Sequence, residues 1–355
     1  MESVPAPNDA NYQHLVGRGT TAIWLAVQCV IAGSDHPPES PAEVILPDLL
    51  CSVAADAVLL AGAVPCFAAV NADRFTLTTE GVMAALTPNT RAILVAHLYG
   101  HGADIPAIRA VAPGVPILED AVQGIGGKAA GQPIGTLGDL SITSFHPTKM
   151  IAGRGGLYWS NDERFGNHLT VVGERLGAAP VVDWAQVRAC LRAMPTLSES
   201  AANGYLLHLQ ATYRTLLIPF DASPQNVTES RASRATLPER VCSRNHKARW
   251  LHEQLVTLTA EVPGLLLPTL HDGDAIWRYT FAMPSRLLAR RLLHGLAKER
   301  LLTTALYPPL SQVFGGAALT PFADRLINVW VDDTASDDYL RGVVTAIRHV
   351  LLGDR

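Results

Sequence analysis

Lys149 closes the run Ser144-Phe145-His146-Pro147-Thr148-Lys149 and is one of only four lysines, against 24 arginines. Met150, Ile151, Gly153, Gly155 and Gly156 follow it. Apolar and small neighbours strip hydration from a charged lysine and free its neutral amine for Schiff-base chemistry. Upstream, Leu118-Glu119-Asp120 leads to Gln123. Further upstream, Gly17-Arg18-Gly19-Thr20-Thr21 opens a helix-like run from Ala22 to Val27. An amine, a carboxylate and a small-residue anion cradle are the parts that a pyridoxal phosphate enzyme needs. The amine forms the Schiff base, the carboxylate keeps the pyridine nitrogen protonated, and the cradle holds the phosphate.

Each part also has an ordinary reading. A helix N-terminus exposes unpaired N–H groups that bind phosphate, yet Gly19-Thr20-Thr21 is equally a glycine turn with a threonine cap. Asp120 ends a strand where open α/β sheets bind ligands, and on position alone it equally suits a cap for the next loop. Gln123 suits a ring oxygen or a loop. Lys149 by itself suits an ion pair. Gly124-Ile125-Gly126-Gly127 is no dinucleotide loop, because the following 128–136 reads as a hairpin or turn rather than a helix. His97, His101 and His146 lack metal-ligand spacing, and Ser144 lies outside any GxSxG elbow.

The elements that position these residues follow from apolar runs. Val44 to Leu46, Pro65 to Val70, Arg91 to Ala96, Val115 to Leu118 and Leu140 to Thr143 read as strands. Helix-like stretches fall between them at about 20–32, 52–62, 78–86 and 104–112. Strands alternating with helices predict an α/β fold with a mostly parallel central sheet flanked by helices. Residues 53–70 approach the length of a membrane span, but Asp56, Gly62 and Pro65 divide them into a buried helix and a strand. Beyond a variable connecting region at 166–230, helices are expected over 240–258, 285–299 and 336–352. Strands are expected over 275–283, 301–305 and 327–331. The division is a large domain over 14–230 and a smaller C-terminal α/β domain over 231–355.

The composition is 48% hydrophobic and only 17% charged, which implies a large buried fraction. A net charge of −4 with no basic run argues against nucleic acid. Five scattered cysteines without a CxxC pair argue for a reducing compartment. The first residues are polar and carry no apolar signal core, so a cytoplasmic location is expected.

Taken together, GRGTTAIWLAV, ILPDLLCSVAADAVLLAGAVPCFAAV, AILVAHLYGHGADI, LEDAVQGIGG, GTLGDLSITSFHPTK and GGLYWSND resemble the DegT/DnrJ/StrS family of PLP-dependent sugar aminotransferases. The likeness covers residues 17–162 and resumes at LLTTALYPPL and FADRLINVWVDD. It implies fold type I, a homodimer with the active site at the interface, and PLP as cofactor. By position it implies Lys149 as the Schiff-base lysine and Asp120 as the pyridinium partner. Gln123 would lie beside the ring, and Ser144, Gly19 and Thr20 would hold the phosphate. Two positions depart from the pattern: Cys51 stands where an aromatic ring usually stacks on the cofactor, and Arg18 stands where Ser is common. The implied reaction moves an amino group from an amino-acid donor, glutamate by expectation, to a keto or aldehyde acceptor such as a keto-sugar. Another PLP reaction, or a non-catalytic regulatory relative, is the alternative.

Overall fold

The computed structural model of the chain describes residues 12–34, 40–174, 176–177, 222, 228, 233–301, 303–304 and 307–353. Most of the connecting region expected at 166–230 therefore lies outside the described residues. The N-terminal part runs β1 (Tyr12–Val16), α1 (Gly19–Ala32), β2 (Glu43–Pro47), α2 (Val53–Leu60), β3 (Val64–Ala68), α3 (Thr79–Ala85) and β4 (Thr90–Ala96). It continues with α4 (Ile105–Val111), β5 (Ile117–Asp120), the short hairpin β6 (Lys128–Ala129) and β7 (Gln132–Pro133), β8 (Leu140–Phe145), β9 (Gly155–Ser160) and α5 (Glu163–Gly173).

Seven strands form one sheet in the order β1-β9-β8-β5-β4-β2-β3. The pairs β2–β3, β2–β4, β4–β5 and β5–β8 are parallel, as the alternating pattern predicts. Strands β9 and β1 are antiparallel additions that the apolar runs do not reveal. In β9 every residue is buried, so Gly155 and Gly156, part of the glycine-rich run that follows Lys149, lie in a covered strand. Local chemistry sets the helix starts: Thr78 caps α3 by accepting from the Gly81 N–H at 2.9 Å, and Asp104 caps α4 by accepting from Ala107. Residues 53–70 split into α2 and β3. Among the described residues no helix is long and apolar enough to cross a membrane.

The C-terminal part runs α6 (Leu237–Leu255), α7 (Leu258–Glu261), β10 (Arg278–Ala282), α8 (Arg286–Lys298), β11 (Thr303–Thr304), α9 (Leu310–Val313), β12 (Leu326–Trp330) and α10 (Asp337–Leu352). Its three strands pair antiparallel in the order β10-β12-β11. Leu251, Leu255, Phe281, Leu292, Val329 and Val343 belong to a core of their own, separate from the one around the large sheet. Trp277 and Leu310 belong to the large core, so the C-terminal part reaches back onto the first sheet through the approaches to β10 and α9.

Candidate active site

Because β2, β4, β5 and β8 are parallel, their C-terminal ends share one edge of the sheet, where a ligand meets loops rather than strand faces. Asp120 is the last residue of β5 and lies in register with Ala96 of β4 and Ile142 of β8. Cys51 follows β2 by four residues, His97 follows β4 directly, and Ser144 sits in the last turn of the pleat of β8. Lys149 lies on the β8–β9 connection, in a turn closed by its own N–H donating to the His146 carbonyl at 2.8 Å. Met150 and Ile151, both buried, anchor the chain immediately beyond it.

The start of α1 is wedged against β8 and β9. A Cβ at Gly19 would lie 2.5 Å from Ser144 Cβ and 2.8 Å from Ser144 Oγ. A Cβ at Gly156 would lie 2.5 Å from the Arg18 carbonyl and 2.6 Å from the Gly19 nitrogen. Glycine at both positions lets the helix terminus touch Ser144 and β9 directly. Arg18 occupies the cap position but makes no side-chain cap, and no acidic residue lies in the first turn. A 14-residue helix thus presents the positive end of its dipole beside a serine hydroxyl and the half-buried Thr20, with no acidic residue in its own first turn to offset it. That is a place for an anion.

Asp120 is buried, 8% exposed, and one of its carboxylate oxygens accepts from the Val122 N–H at 2.9 Å. The capping role open on sequence grounds is therefore real for that oxygen; among the described residues the other accepts nothing. Burial raises the Asp120 pKa above the usual carboxylate value, and the Val122 N–H and the charge of Lys149 offset this in part. Burial likewise lowers the Lys149 pKa; Cys51 and Asp120 pull it back up, and Arg278 pushes it down. The net shift is downward, the direction that frees the neutral amine and the one that the apolar flanks of Lys149 suggest.

Gln123 is buried beside them. Its Oε1 accepts from the Tyr99 N–H at 2.8 Å and its Nε2 donates to the Tyr307 hydroxyl at 3.2 Å. His97 and Glu119 form a buried pair: Nδ1 of His97 accepts from Ala103 N–H at 3.0 Å, leaving Nε2–H for Glu119 Oε1 at 2.9 Å. Glu119 also accepts from the N–H groups of Gly135, Leu137 and Gly138. Despite the desolvation that raises it, the His97 contact and these N–H groups leave the Glu119 pKa below its ordinary value. Its role is to fix the loop before β8. Among the described residues no His, Cys, Asp and Glu cluster suits a metal ion.

Three residues enter the site that the motifs do not single out. The Trp277 ring centre lies 4.5 Å from Lys149 Nζ, and its indole N–H donates to the Thr148 carbonyl at 2.6 Å. Tyr307 meets Gln123, and Asp48, at the end of β2, is fully buried. Asp48 and Tyr307 lie inside the family-like runs ILPDLLCS and LLTTALYPPL with no role assigned there, and Trp277 shows only as an aromatic in a short apolar run. Arg278, next to Trp277, is 1% exposed; its guanidinium stacks 3.5 Å from the Trp330 ring centre and bonds Asp332 at 3.2 Å. An open cleft of about 550 Å³ bordered by Arg249, His252 and Leu270 includes none of these residues.

The sequence profile of the DegT/DnrJ/EryC1/StrS aminotransferase family matches residues 10–187, about half of the chain and the part that builds this edge. The chain belongs to that family. Within it, UDP-N-acetyl-3-dehydro-alpha-D-glucosamine 3-aminotransferase of Acidithiobacillus ferrooxidans is 39% identical over 148 residues, 41% of this chain and 38% of that protein. The pleiotropic regulatory protein of Geobacillus stearothermophilus is 36% identical over 160 residues, 44% of this chain and 41% of its own length. These matches thus span about two fifths of the relatives' own length. Among solved structures, DesI in the presence of its TDP-sugar product superposes with a TM-score of 0.75 at 21% identity, over 99% of this chain and 84% of that one. That likeness extends the family fold through the C-terminal part.

Proposed function

We propose that this DegT/DnrJ/EryC1/StrS family member is a PLP-dependent aminotransferase, with a large domain over 14–230 and a small one over 231–355. It moves an amino group from an amino-acid donor, glutamate by preference, to a keto or aldehyde acceptor. The observation that carries the reading is the placement of Lys149, its pKa lowered by burial, among buried Asp120, Gln123 and a helix N-terminus without a side-chain cap at Ser144. These groups fit PLP at both ends. Gly19, Thr20 and Ser144 would hold its phosphate, Asp120 would meet the ring nitrogen with its open carboxylate oxygen, and Gln123 would lie beside the ring. A keto-sugar acceptor is supported by the named activity of the Acidithiobacillus relative.

The bound cofactor supplies an electron sink for the carbon that gives up or gains the amino group. Lys149 does the proton work. A neutral amine accepts a proton at Nζ from that carbon and returns it one position further on, a general-base and general-acid role worth about 10²–10⁴ in rate. Asp120 stabilises positive charge at the ring nitrogen, and that charge in turn satisfies a carboxylate whose burial is otherwise only partly offset. Met150 and Ile151 hold the lysine turn against the core, and Trp277 keeps water from one side of the amine. Cys51 leaves room where a stacking ring is common in the pattern. We further place the protein in the cytoplasm as a homodimer with the site at the interface; free Cys29, Cys51, Cys66 and Cys242 fit a reducing compartment.

Borohydride reduction of PLP-loaded protein followed by peptide mapping tests this reading. The pyridoxyl group is expected on Lys149, and Lys149→Ala should abolish both label and transamination. A label on Lys128, Lys247 or Lys298 would overturn the site. Loading at Lys149 without any amino-group exchange would instead favour the regulatory role named for the Geobacillus relative.

A further inference from the structure

Tyr307 has a left-handed backbone, φ 72°, and shares that conformation with Phe75 (φ 60°) and Tyr99 (φ 57°). The three rings form a contact chain, Phe75 edge-on to Tyr99 at 5.4 Å and Tyr99 stacked with Tyr307 at 6.1 Å. Non-glycine residues hold such backbones only where their surroundings over-determine them, and they gather at functional sites. Asp48 fixes the chain just beyond Tyr307. The Asp48 carbonyl accepts from the Leu310 N–H at 2.7 Å, and its Oδ1 accepts from the Ser311 N–H at 2.8 Å. Asp48 is fully buried, and among the described residues its Oδ2 has no hydrogen-bond partner. A half-satisfied buried carboxylate is costly as mere packing, so the geometry it enforces carries the interest. It lies three residues before Cys51, and it therefore ties the Cys51 loop to the segment that presents Tyr307.

The hydroxyl of Tyr307 is oriented as well as placed. Because Gln123 Oε1 accepts from the Tyr99 N–H, the other end of that amide is the donor, and it is the end that faces the Tyr307 oxygen. The phenolic proton must then point away from Gln123. Among the described residues nothing accepts it. The groups that act on the phenol electrostatically are Cys51, Tyr99 and Asp120, two of which also act on Lys149. Burial holds the phenol well above its usual pKa, so the proton stays on the oxygen throughout the working range of pH.

We propose that Tyr307 is a further ligand-binding residue of the Lys149 site: its O–H donates to an acceptor oxygen of the bound molecule, and Asp48 is the residue that positions it. The shared chemistry is a carbonyl or phenolate oxygen, supplied either by the pyridoxal ring or by the carbonyl substrate. The inference rests on the reading of Lys149 and Asp120 as the cofactor site. It adds to that site a donor from the C-terminal part of the chain.

The full-length chain with Tyr307→Phe, Asp48→Ala, Asp48→Asn and the Asp48→Ala/Tyr307→Phe pair tests it. PLP affinity is read by titration, the KM of each substrate by turnover, and folding by Tm. Tyr307→Phe should weaken one oxygen contact by about 10-fold, the scale of a lost hydrogen bond, with Tm held. A loss of PLP affinity assigns the ring oxygen; intact PLP affinity with a raised acceptor KM assigns the substrate carbonyl. Asp48→Ala should show the same loss, Asp48→Asn should recover it because an amide oxygen still accepts from Ser311, and the pair should lose no more than Asp48→Ala alone. Tyr307→Phe indistinguishable from wild type, or losses that multiply in the pair, would overturn the inference while Lys149 labelling stays intact. Absence of label at Lys149 in the wild-type chain would overturn the underlying site and this inference with it. If Asp48→Ala fails to fold, Tyr307→Phe and Asp48→Asn still decide.

Discussion

Trp277 holds the lysine turn from two directions: its ring centre is 4.5 Å from Lys149 Nζ, and its indole N–H donates 2.6 Å to the carbonyl of Thr148. Trp277 is itself pinned, because its own N–H donates to the Tyr99 carbonyl at 2.8 Å. The segment before β10 therefore reaches across from the C-terminal part and fixes where the amine stands.

Two substitutions separate these roles. Trp277→Phe keeps a ring over the amine and removes the Thr148 hydrogen bond, whereas Trp277→Leu removes both. Each should lose about 1 kcal/mol of stability for the missing bond, visible as a lower denaturation midpoint. A ring face favours the charged amine, so only Trp277→Leu should move the pH midpoint of Lys149's reaction with PLP, and downward. Identical midpoints in both variants would reduce Trp277 to a tether.

The wedge between α1 and β8 gives a second outcome. Gly19→Ala places a methyl 2.5 Å from Ser144 Cβ, a separation that real side chains do not adopt, so the helix terminus must shift. Affinity for PLP should fall at least about 10-fold, roughly 1.4 kcal/mol, while affinity for pyridoxal without the phosphate changes little. Ser144→Gly in the same chain removes the colliding Cβ and should restore part of the loss. Equal losses for PLP and pyridoxal would show that the terminus does not hold the phosphate.

Much of this site was legible in the residues because its chemistry lies on short local runs. Asp120 ends a strand, Gly19 starts a helix, and Gln123 and Lys149 lie three and four residues beyond the ends of β5 and β8, so parallel pairing brings all four to one edge. What escaped lies in long-range packing. Strand β9 escapes the apolar runs because it opens on Gly155 and Gly156; it is a strand because β8 and β1 pair with it on both sides. Trp277 and Tyr307 meet the site, and Asp48 meets Leu310 and Ser311, across separations that no local window contains. Asp48 reads as a loop acid, and only the backbone of Leu310 and Ser311 gives it a purpose.

A buried cluster beside the site sets the response to acid. Asp274 accepts from Arg74 at 2.7 Å and from the His271 N–H at 2.9 Å, and it meets His101 Nδ1 at 3.3 Å. Despite desolvation, its contacts with His101 and Arg74 hold Asp274 well below the usual carboxylate range. For His101 burial wins over Asp274, and its pKa falls below the ordinary histidine value. A histidine with a lowered folded pKa takes up its proton more readily when unfolded, so stability falls as pH drops below about 6.5. Asp274 adds its own loss once pH falls below about 3.9 and on toward its depressed folded value. Urea midpoints from pH 7 to 5 should therefore decline, and His101→Asn should flatten the decline. A midpoint that rises on acidification would mean that His101 is held as a cation by Asp274.

Arg278 decides between a ligand contact and a structural one. A guanidinium can fork onto a carboxylate through two parallel N–H donors, which makes an arginine in the C-terminal part a candidate for a substrate carboxylate. Here the guanidinium is 1% exposed and stacks on Trp330 at 3.5 Å and on Trp277 at 4.6 Å. Its NH1 already donates to the Trp277 carbonyl at 3.1 Å and to Asp332 at 3.2 Å. Burial, only partly offset by Asp332, pushes its pKa down to about 10, so it stays charged near neutrality. Lysine keeps the charge but cannot stack as a plane, so Arg278→Lys should cost about 2–4 kcal/mol of stability from two desolvated ring contacts. Any change in KM should be shared by donor and acceptor. Arg278→Met goes further: it removes a charge that depresses Lys149, and the pH midpoint of Lys149's reaction with PLP should rise. A donor-selective increase in KM in Arg278→Lys, with the denaturation midpoint unchanged, would instead place the guanidinium on the substrate.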